Sequence, residues 1–130
     1  MSKQTLELLT ETFRIHSLPP GRAVPSCVFE SPIFFIGKTF DELSIVCPES
    51  IEVDSLESEG GWGALEVLGP LGFSLTGILS NISGVLAAQN ISIFAISTFD
   101  TDYILVKQVT MSRAISALRK QGYTVLTEHS

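Results

Sequence analysis

The sequence has little positive charge, and one long stretch of it carries no charge at all. Only 8 Lys and Arg residues stand against 14 Asp and Glu in 130 residues, which gives a net charge of −6. Nucleic-acid binding requires clustered basic side chains that neutralise phosphates, so this composition argues against a nucleic-acid partner. Between Glu66 and Asp100 there is no Asp, Glu, Lys or Arg.

The uncharged stretch does not predict a membrane span. A spanning helix needs about 20 predominantly apolar residues, whereas residues 67–99 include Pro70, Gln89, Asn90 and seven Ser or Thr residues. Lipid would leave those polar groups unsatisfied. The first five residues also lack the charged-then-apolar layout of a signal peptide. We therefore expect a cytoplasmic protein with no membrane partner and interpret this stretch as buried core.

Cysteine and histidine are scarce, with two of each. Cys27 and Cys47 form no CxxC pair, and neither His16 nor His129 has a neighbouring ligand in the sequence, so we expect free thiols, no metal site and no cofactor. Residues 72–77, GFSLTG, resemble a G-x-S-x-G nucleophile motif, but the second glycine comes one position too late. The sequence thus predicts no catalytic residues and a protein that is not an enzyme.

Residues 62–127 show a regular alternation of strand and helix patterns. Strands are predicted at 62–68, 91–98, 103–109 and 123–127. Apolar residues at helical spacing predict one helix from Ser74, its N-cap, to about Gln89-Asn90, and a second that contains Met111 and Leu118 and stops at Gly122. This βαββαβ order predicts an α+β, ferredoxin-like unit with a four-stranded antiparallel sheet and two helices on one face.

The first half is less regular but contains a faint repeat of the second. Residues 38–41, KTFD, align with residues 97–100, STFD, at an offset of 59, which favours two copies of one supersecondary unit over chance similarity between hairpins. Residues 6–15 predict a long first strand. Three prolines between residues 17 and 25 exclude a proper helix, and residues 49–59 read as a turn of helix plus a solvated linker. We place the domain boundary between residues 60 and 61, with a reduced unit at 1–60 and a complete one at 61–130.

The loop before the first predicted helix and the end of the following strand could together bind a zwitterion. A helix start offers unpaired N–H groups to a carboxylate, although the glycines of the loop also fit a simple tight turn. Asp100, at the end of the strand, could bind an ammonium group, since charge-assisted hydrogen bonds are about twice as strong as neutral ones. Equally, two aspartates at a hairpin corner are common turn residues.

Two segments of the sequence closely resemble the ACT domain. They are residues 69–79, GPLGFSLTGIL, and residues 91–106, ISIFAISTFDTDYILV. Within the ACT family, these segments are most similar to small tandem-ACT proteins related to the CASTOR-type cytosolic amino-acid sensors. Residues 41–46, DELSIV, and 62–65, WGAL, fit the first half of the same group. Members of this group often carry Asp where this chain has Gly72, so one polar ligand contact is missing.

The resemblance implies an amino-acid site between a loop and a neighbouring unit's strands, in an assembly of side-by-side ACT units. The ligand-binding residues carried over by motif are Gly69, Leu71, Gly72, Phe73, Ser74, Thr98, Phe99 and Asp100, and Ile96 completes the predicted set. Gly72, Phe73 and Ser74 would bind the carboxylate, Asp100 the ammonium, and Phe99 or Ile96 the side chain. The predicted function is a non-enzymatic regulatory module that binds a free amino acid as a homodimer. The alternative is a ligand-free interaction module that pairs through its ACT sheet.

Overall fold

The computed structural model describes residues 3–68 and 77–127, and its chain divides into two compact units. Eight strands, two α-helices and a short 3₁₀ helix occur in the described residues. In chain order they are β1 (Thr5–Leu8), β2 (Phe13–Leu18), the 3₁₀ helix (Ser26–Glu30), β3 (Phe35–Lys38), β4 (Leu43–Pro48), β5 (Glu57–Val67), α1 (Ile78–Ala87), β6 (Phe94–Ser97), β7 (Asp102–Lys107), α2 (Gln108–Lys120) and β8 (Thr124–Leu126).

The two units share strand β5. The small unit is Glu11–Trp62, and the helical unit comprises Met1–Thr10 and Gly63–Ser130. This division differs from the predicted boundary between residues 60 and 61, which falls inside β5. The N-terminal residues also differ from the predicted division. Met1–Thr10 belong to the helical unit, because β1 pairs with β5 and β8.

The helical unit has the predicted βαββαβ order, in β5, α1, β6, β7, α2 and β8. Its sheet order is β6-β7-β5-β1-β8. The prediction of four strands is wrong, because β1 lies between β5 and β8, antiparallel to the first and parallel to the second. The predicted long strand at 6–15 is accordingly two strands, β1 and β2, in different units. Leu6 of β1 is fully buried, which holds β1 in this sheet.

Both α-helices pack one apolar stripe into the core of the helical unit, as the spacing predicted. The buried helix residues are Ile78, Ile82 and Leu86 of α1 and Met111, Ala114 and Leu118 of α2. Two or three residues after its last residue, each helix is followed by a residue with positive φ, Asn90 at 58° after α1 and Gly122 at 98° after α2. The residue after each then donates its N–H back into the helix, a Schellman arrangement, so both predicted helix ends are confirmed.

Boundaries in the helical unit differ from the sequence prediction at several points, including the start of β6 at Phe94 rather than at residue 91. The structure has Gly77 at the N-cap of α1, whereas the predicted N-cap, Ser74, lies outside the described residues. Helix α2 begins at Gln108, so Val109 is helical rather than the end of a strand. Val109 is 92% exposed, so no burial held it in a β conformation.

The small unit is an antiparallel sheet in the order β3-β4-β2-β5, formed with residues 57–62 of β5. In place of a first helix it has the 3₁₀ helix after Pro25, consistent with the exclusion of a proper helix. Residues 57–59, predicted as linker, are strand because they pair with residues 15–17 of β2. Their backbone hydrogen bonds with β2 make these residues a strand although their side chains are polar. One buried cluster of this unit comprises Leu18, Val28, Leu43, Ile45 and Cys47.

Candidate functional site

The described part of the predicted site lies at the turn between β6 and β7. Ile96 is in β6 opposite Tyr103 of β7, and Thr98, Phe99 and Asp100 form the turn that follows. The other five predicted ligand residues, Gly69, Leu71, Gly72, Phe73 and Ser74, lie outside the described residues. The structure thus brings four of the nine predicted residues into one β-hairpin.

A side-chain hydrogen bond fixes the shape of this turn. The Thr98 N–H donates to the Thr101 carbonyl at 2.8 Å, and the Thr98 hydroxyl donates to the same oxygen at 3.0 Å. That hydroxyl also accepts from the Thr101 N–H at 3.2 Å. Threonine hydroxyls commonly close turns in this way. Phe99 and Asp100 are therefore held at the outer corner, with Phe99 81% exposed.

The turn is attached to the end of β5 through Thr101. Its side chain is buried, and its hydroxyl donates a hydrogen bond to the Val67 carbonyl. Leu68, the next residue, is held in turn by donation of its N–H to the Thr5 carbonyl at 2.8 Å. The hairpin corner is thus fixed beside the strand from which the predicted ligand loop, starting at Gly69, continues along the chain.

Two acidic residues that flank the uncharged stretch act on one tyrosine. The Tyr103 hydroxyl donates to Oε2 of Glu66 in a long hydrogen bond of 3.5 Å. Burial raises the pKa of Tyr103 above its ordinary value, and the charge and hydrogen bond of Glu66 and the charge of Asp100 raise it further. The carboxylates of Glu66 and Asp100 therefore create a negative potential around the Tyr103 phenol, which favours a cationic group there.

Sequence reasoning missed Glu66 and Tyr103 as members of this site. The only signal was position, because Glu66 and Asp100 are the two ends of the uncharged stretch. Their proximity to one phenol depends on the pairing of β5 with β7, which the sequence does not specify. Chemically, the site can bind an ammonium group through carboxylates, next to the exposed aromatic ring of Phe99.

No group of three or more His, Cys, Asp or Glu side chains in residues 3–68 and 77–127 is arranged to hold a metal ion. No helix in that same part of the chain is both long and apolar enough to cross a membrane.

Comparison with known proteins relates the chain to one family. Residues 57–120 match the sequence profile of the ACT domain. A curated relative, the human cytosolic arginine sensor for mTORC1 subunit 1, is 39% identical over 124 residues, which are 88% of this chain and 37% of that protein. The chain thus spans little more than a third of the length of that relative. The bovine protein of the same name gives the same identity over 125 residues.

Solved structures share the fold. The crystal structure of protein Atu0741 from Agobacterium tumefaciens is 30% identical, with a TM-score of 0.91 over 100% of this chain and 97% of that one. The aspartate kinase of Clostridium acetobutylicum is 14% identical, with a TM-score of 0.67 over 87% of this chain and 33% of that one. At that identity the second likeness concerns the fold alone. The predicted α+β, ferredoxin-like ACT fold is confirmed.

Proposed function

Because the chain belongs to the ACT domain family and is related to the CASTOR-type cytosolic arginine sensors, we propose that it is a non-catalytic regulatory protein that binds a free amino acid. The observation that carries the proposal is the hydrogen bond of the Tyr103 phenol to the Glu66 carboxylate at 3.5 Å, in the unit whose hairpin corner carries Asp100 and the exposed Phe99 ring. An α-ammonium group is the part of every amino acid that such a site recognises.

Each residue of the proposed site has a separate role. Asp100 and Glu66 bind the ligand ammonium, and Tyr103 offers its phenol oxygen as a further acceptor. Phe99 or Ile96 contacts the ligand side chain. The carboxylate is bound by the loop, through Gly69, Leu71, Gly72, Phe73 and Ser74, in the manner the ACT resemblance implies. Thr98 and Thr101 contribute indirectly, because their hydrogen bonds hold the corner that carries Asp100.

The proposal includes a homodimer in the cytoplasm, with the ligand at an interface between ACT units of two chains. Ligand binding at such an interface would favour one arrangement of subunits over another, which is sufficient for regulation. The exposed hairpin corner supports this arrangement. A ligand bound only by Asp100 and Phe99 at a fully solvated corner would gain little, since exposed ion pairs contribute only about 0–1 kcal/mol.

We further propose that the small unit is a reduced tandem copy of the helical unit. Support comes from two turns 59 residues apart in the sequence. Thr39 donates its N–H to the Glu42 carbonyl at 2.9 Å and accepts from the Glu42 N–H at 3.2 Å, as Thr98 does with Thr101 at 2.8 and 3.2 Å. The sheet order β3-β4-β2-β5 of the small unit also repeats the ferredoxin-like pairing scheme. In that scheme the strand that is third in chain order, here β4, lies between the second, β3, and the first, β2.

Thermal denaturation in the presence of each of the twenty amino acids tests the proposed function. A ligand at about 100 times its dissociation constant stabilises the folded protein by about 2.7 kcal/mol, which raises the melting temperature by several degrees at this chain length. A folded protein that no amino acid stabilises would contradict the proposal.

Matched variants then locate the site. Asp100→Asn and Glu66→Gln are each expected to raise the dissociation constant of the amino acid found in the screen by about tenfold or more, because each removes one charge-assisted hydrogen bond. Asp41→Asn is the control, since Asp41 is the corresponding residue of the other Thr-Phe-Asp turn. Equal weakening by all three variants would mean that general negative charge, rather than this site, attracts the ligand.

A ligand-free interaction module is the second candidate. Its support is the exposure of two phenylalanines at the hairpin corners, Phe40 at 100% and Phe99 at 81%. Analytical ultracentrifugation with and without the amino acid distinguishes the two functions. A dimer whose dissociation constant is unchanged by every amino acid favours the interaction module, whereas a dimer that a ligand strengthens or weakens favours the sensor.

A further inference from the structure

The only two cysteines of the chain lie in the same part of the small unit. Cys27 is in the 3₁₀ helix and Cys47 is in β4, and both thiols are free. Val28, the residue after Cys27, is fully buried and belongs to the same apolar cluster as Cys47. The 3₁₀ helix therefore packs on the cluster that contains Cys47, although the two cysteines are twenty positions apart in the sequence.

The segment that follows β4 links the surroundings of the two thiols. Ile51 and Val53 of this segment pack on the cluster around Cys47. The carbonyl of Glu52, which lies between them in the sequence, accepts a hydrogen bond from the Cys27 thiol at 3.5 Å. The Cys27 sulfur is thus in contact with the backbone of a segment whose apolar side chains cover the Cys47 cluster.

The two thiols also act on each other electrostatically. Burial raises the pKa of the Cys47 thiol above its ordinary value, and the charge of a Cys27 thiolate raises it further. A Coulombic interaction weakens as the distance between the charges grows, so this interaction agrees with the packing of both cysteines beside one segment. Their exposure differs, because Cys47 is fully buried and Cys27 is partly exposed. A reagent in solution therefore reaches Cys27 first.

We propose that Cys27 and Cys47 form a reversible disulfide when a small disulfide compound, such as oxidised glutathione, reacts with the chain. The Cys27 sulfur, after loss of its proton, attacks one glutathione sulfur, and the other glutathione leaves as a thiolate and takes up a proton. The Cys47 sulfur then loses its proton, attacks the Cys27 sulfur and releases the second glutathione in the same way. The two cysteines give up two electrons and two protons, and the glutathione disulfide takes up both.

The disulfide ties the 3₁₀ helix to β4 in a unit that has no α-helix among its described residues. A bond between distant positions restricts the unfolded chain and so stabilises the fold. The redox state of the solution then sets the stability of the small unit, which is the redox-sensing role that transient disulfides have in reducing compartments. This switch is separate from the hairpin corner of the proposed function and does not depend on it.

Equilibration of the full chain with reduced and oxidised glutathione tests the proposal. We expect both free thiols to disappear together, giving a chain lighter by two hydrogen atoms and without a glutathione adduct, and dithiothreitol to restore them. The equilibrium constant for disulfide formation in the folded chain should exceed that in the urea-unfolded chain by about tenfold or more. A disulfide needs its two Cα atoms within about 7 Å of each other, so a fold that held them farther apart would give the opposite order.

Single variants separate the two steps. Cys47→Ala should stop the reaction at a glutathione adduct on Cys27, and Cys27→Ser should leave the buried Cys47 unmodified in the folded chain. Oxidation should raise the melting temperature of the parent chain and leave that of the double variant unchanged. If Cys47→Ala does not fold, a short alkylation pulse on the parent chain replaces it and should label Cys27 first.

Three results would overturn the proposal. The folded chain could keep a glutathione adduct on Cys27 while Cys47 stays free, or it could form disulfides only between chains. The third is a disulfide that forms more readily in the unfolded chain than in the folded one.

Discussion

The two units of this chain have related sheets but cover them differently. In the helical unit, α1 and α2 bury a continuous apolar stripe against five strands, including β1 from the N-terminus. In the small unit, a 3₁₀ helix of five residues and the segment 49–54 cover four strands. The helical unit has its candidate site at a hairpin corner, whereas the sparsely covered small unit contains both cysteines. The small unit, which has no α-helix among its described residues, therefore buries less apolar area to stabilise it.

The largest expected effect concerns the two cores. Leu118→Ala in α2 should destabilise the protein by about 2–5 kcal/mol, because it leaves a cavity in a fully buried helix packing site. Val28→Ala in the 3₁₀ helix should cost about 1–2 kcal/mol, since it removes two buried methyl groups. Urea denaturation measures both, with Val109→Ala, on the exposed side of α2, as the control. A loss below about 1 kcal/mol at Leu118 would contradict the tight packing of α2 in the core of the helical unit.

A second effect concerns the backbone of β5. Gly61 has a φ of 77°, next to the irregular pairing of β5 with β2. Gly61→Ala should cost about 1–2 kcal/mol, because an L-residue is strained in this conformation. Gly21→Ala is the matched control, since an added Cβ there meets nothing within 4 Å. A similar stability for both variants in urea denaturation would show that β5 can relax its backbone at this point.

The response to pH should separate the units. Burial, and then Arg14, lower the pKa of His16 from 6.5, so its contribution to stability is present above about pH 6.5 and is lost as the pH falls. Burial, and then Glu66 and Asp100, raise the pKa of Tyr103 from 10.0, so its contribution is present below about pH 10 and is lost as the pH rises.

Amide hydrogen exchange, read residue by residue, checks this difference. Acid should first lower protection in β2 and β4 of the small unit, and alkali should first lower it in β7 of the helical unit. His16→Gln should flatten the acid response alone, and Tyr103→Phe the alkaline response alone. Loss of protection in both units at the same pH would mean that they unfold as one cooperative body.

The smallest effect on stability is expected at the two hairpin corners. Phe40→Ala and Phe99→Ala should each change stability by less than about 0.5 kcal/mol, because both rings are largely exposed. Only Phe99→Ala should weaken amino-acid binding in calorimetric titration, since its turn alone adjoins Glu66 and Tyr103. Equal weakening by both variants would indicate that the small unit carries a second site of the same kind.

The spacing of apolar residues predicted the helices of the helical unit well, because their apolar stripes pack into the core. The stripe from Ile78 to Leu86 and the stop at Gly122 were readable for this reason. The role of β1 was not readable. Its partners, Val67 and Val125, are distant in the sequence, and nothing in residues 5–8 distinguishes a strand of one unit from a strand of the other. The start of β5 was missed because pairing with β2, rather than burial, makes it a strand.

The sequence by itself determined the βαββαβ order, the short connection around Asp100 between two strands and, through its resemblance to the ACT domain, the family. The order and the connection follow from spacing along continuous segments, and the family follows from the resemblance of such segments to the ACT domain. Only the tertiary structure decided that Glu66 and Asp100 act on the same tyrosine, that β1 enters the helical unit, and that the His16 ring is buried beside the Ser55 hydroxyl. Those features require residues far apart in the chain to meet, and strand register and packing, which are global properties of the fold, decide which residues do.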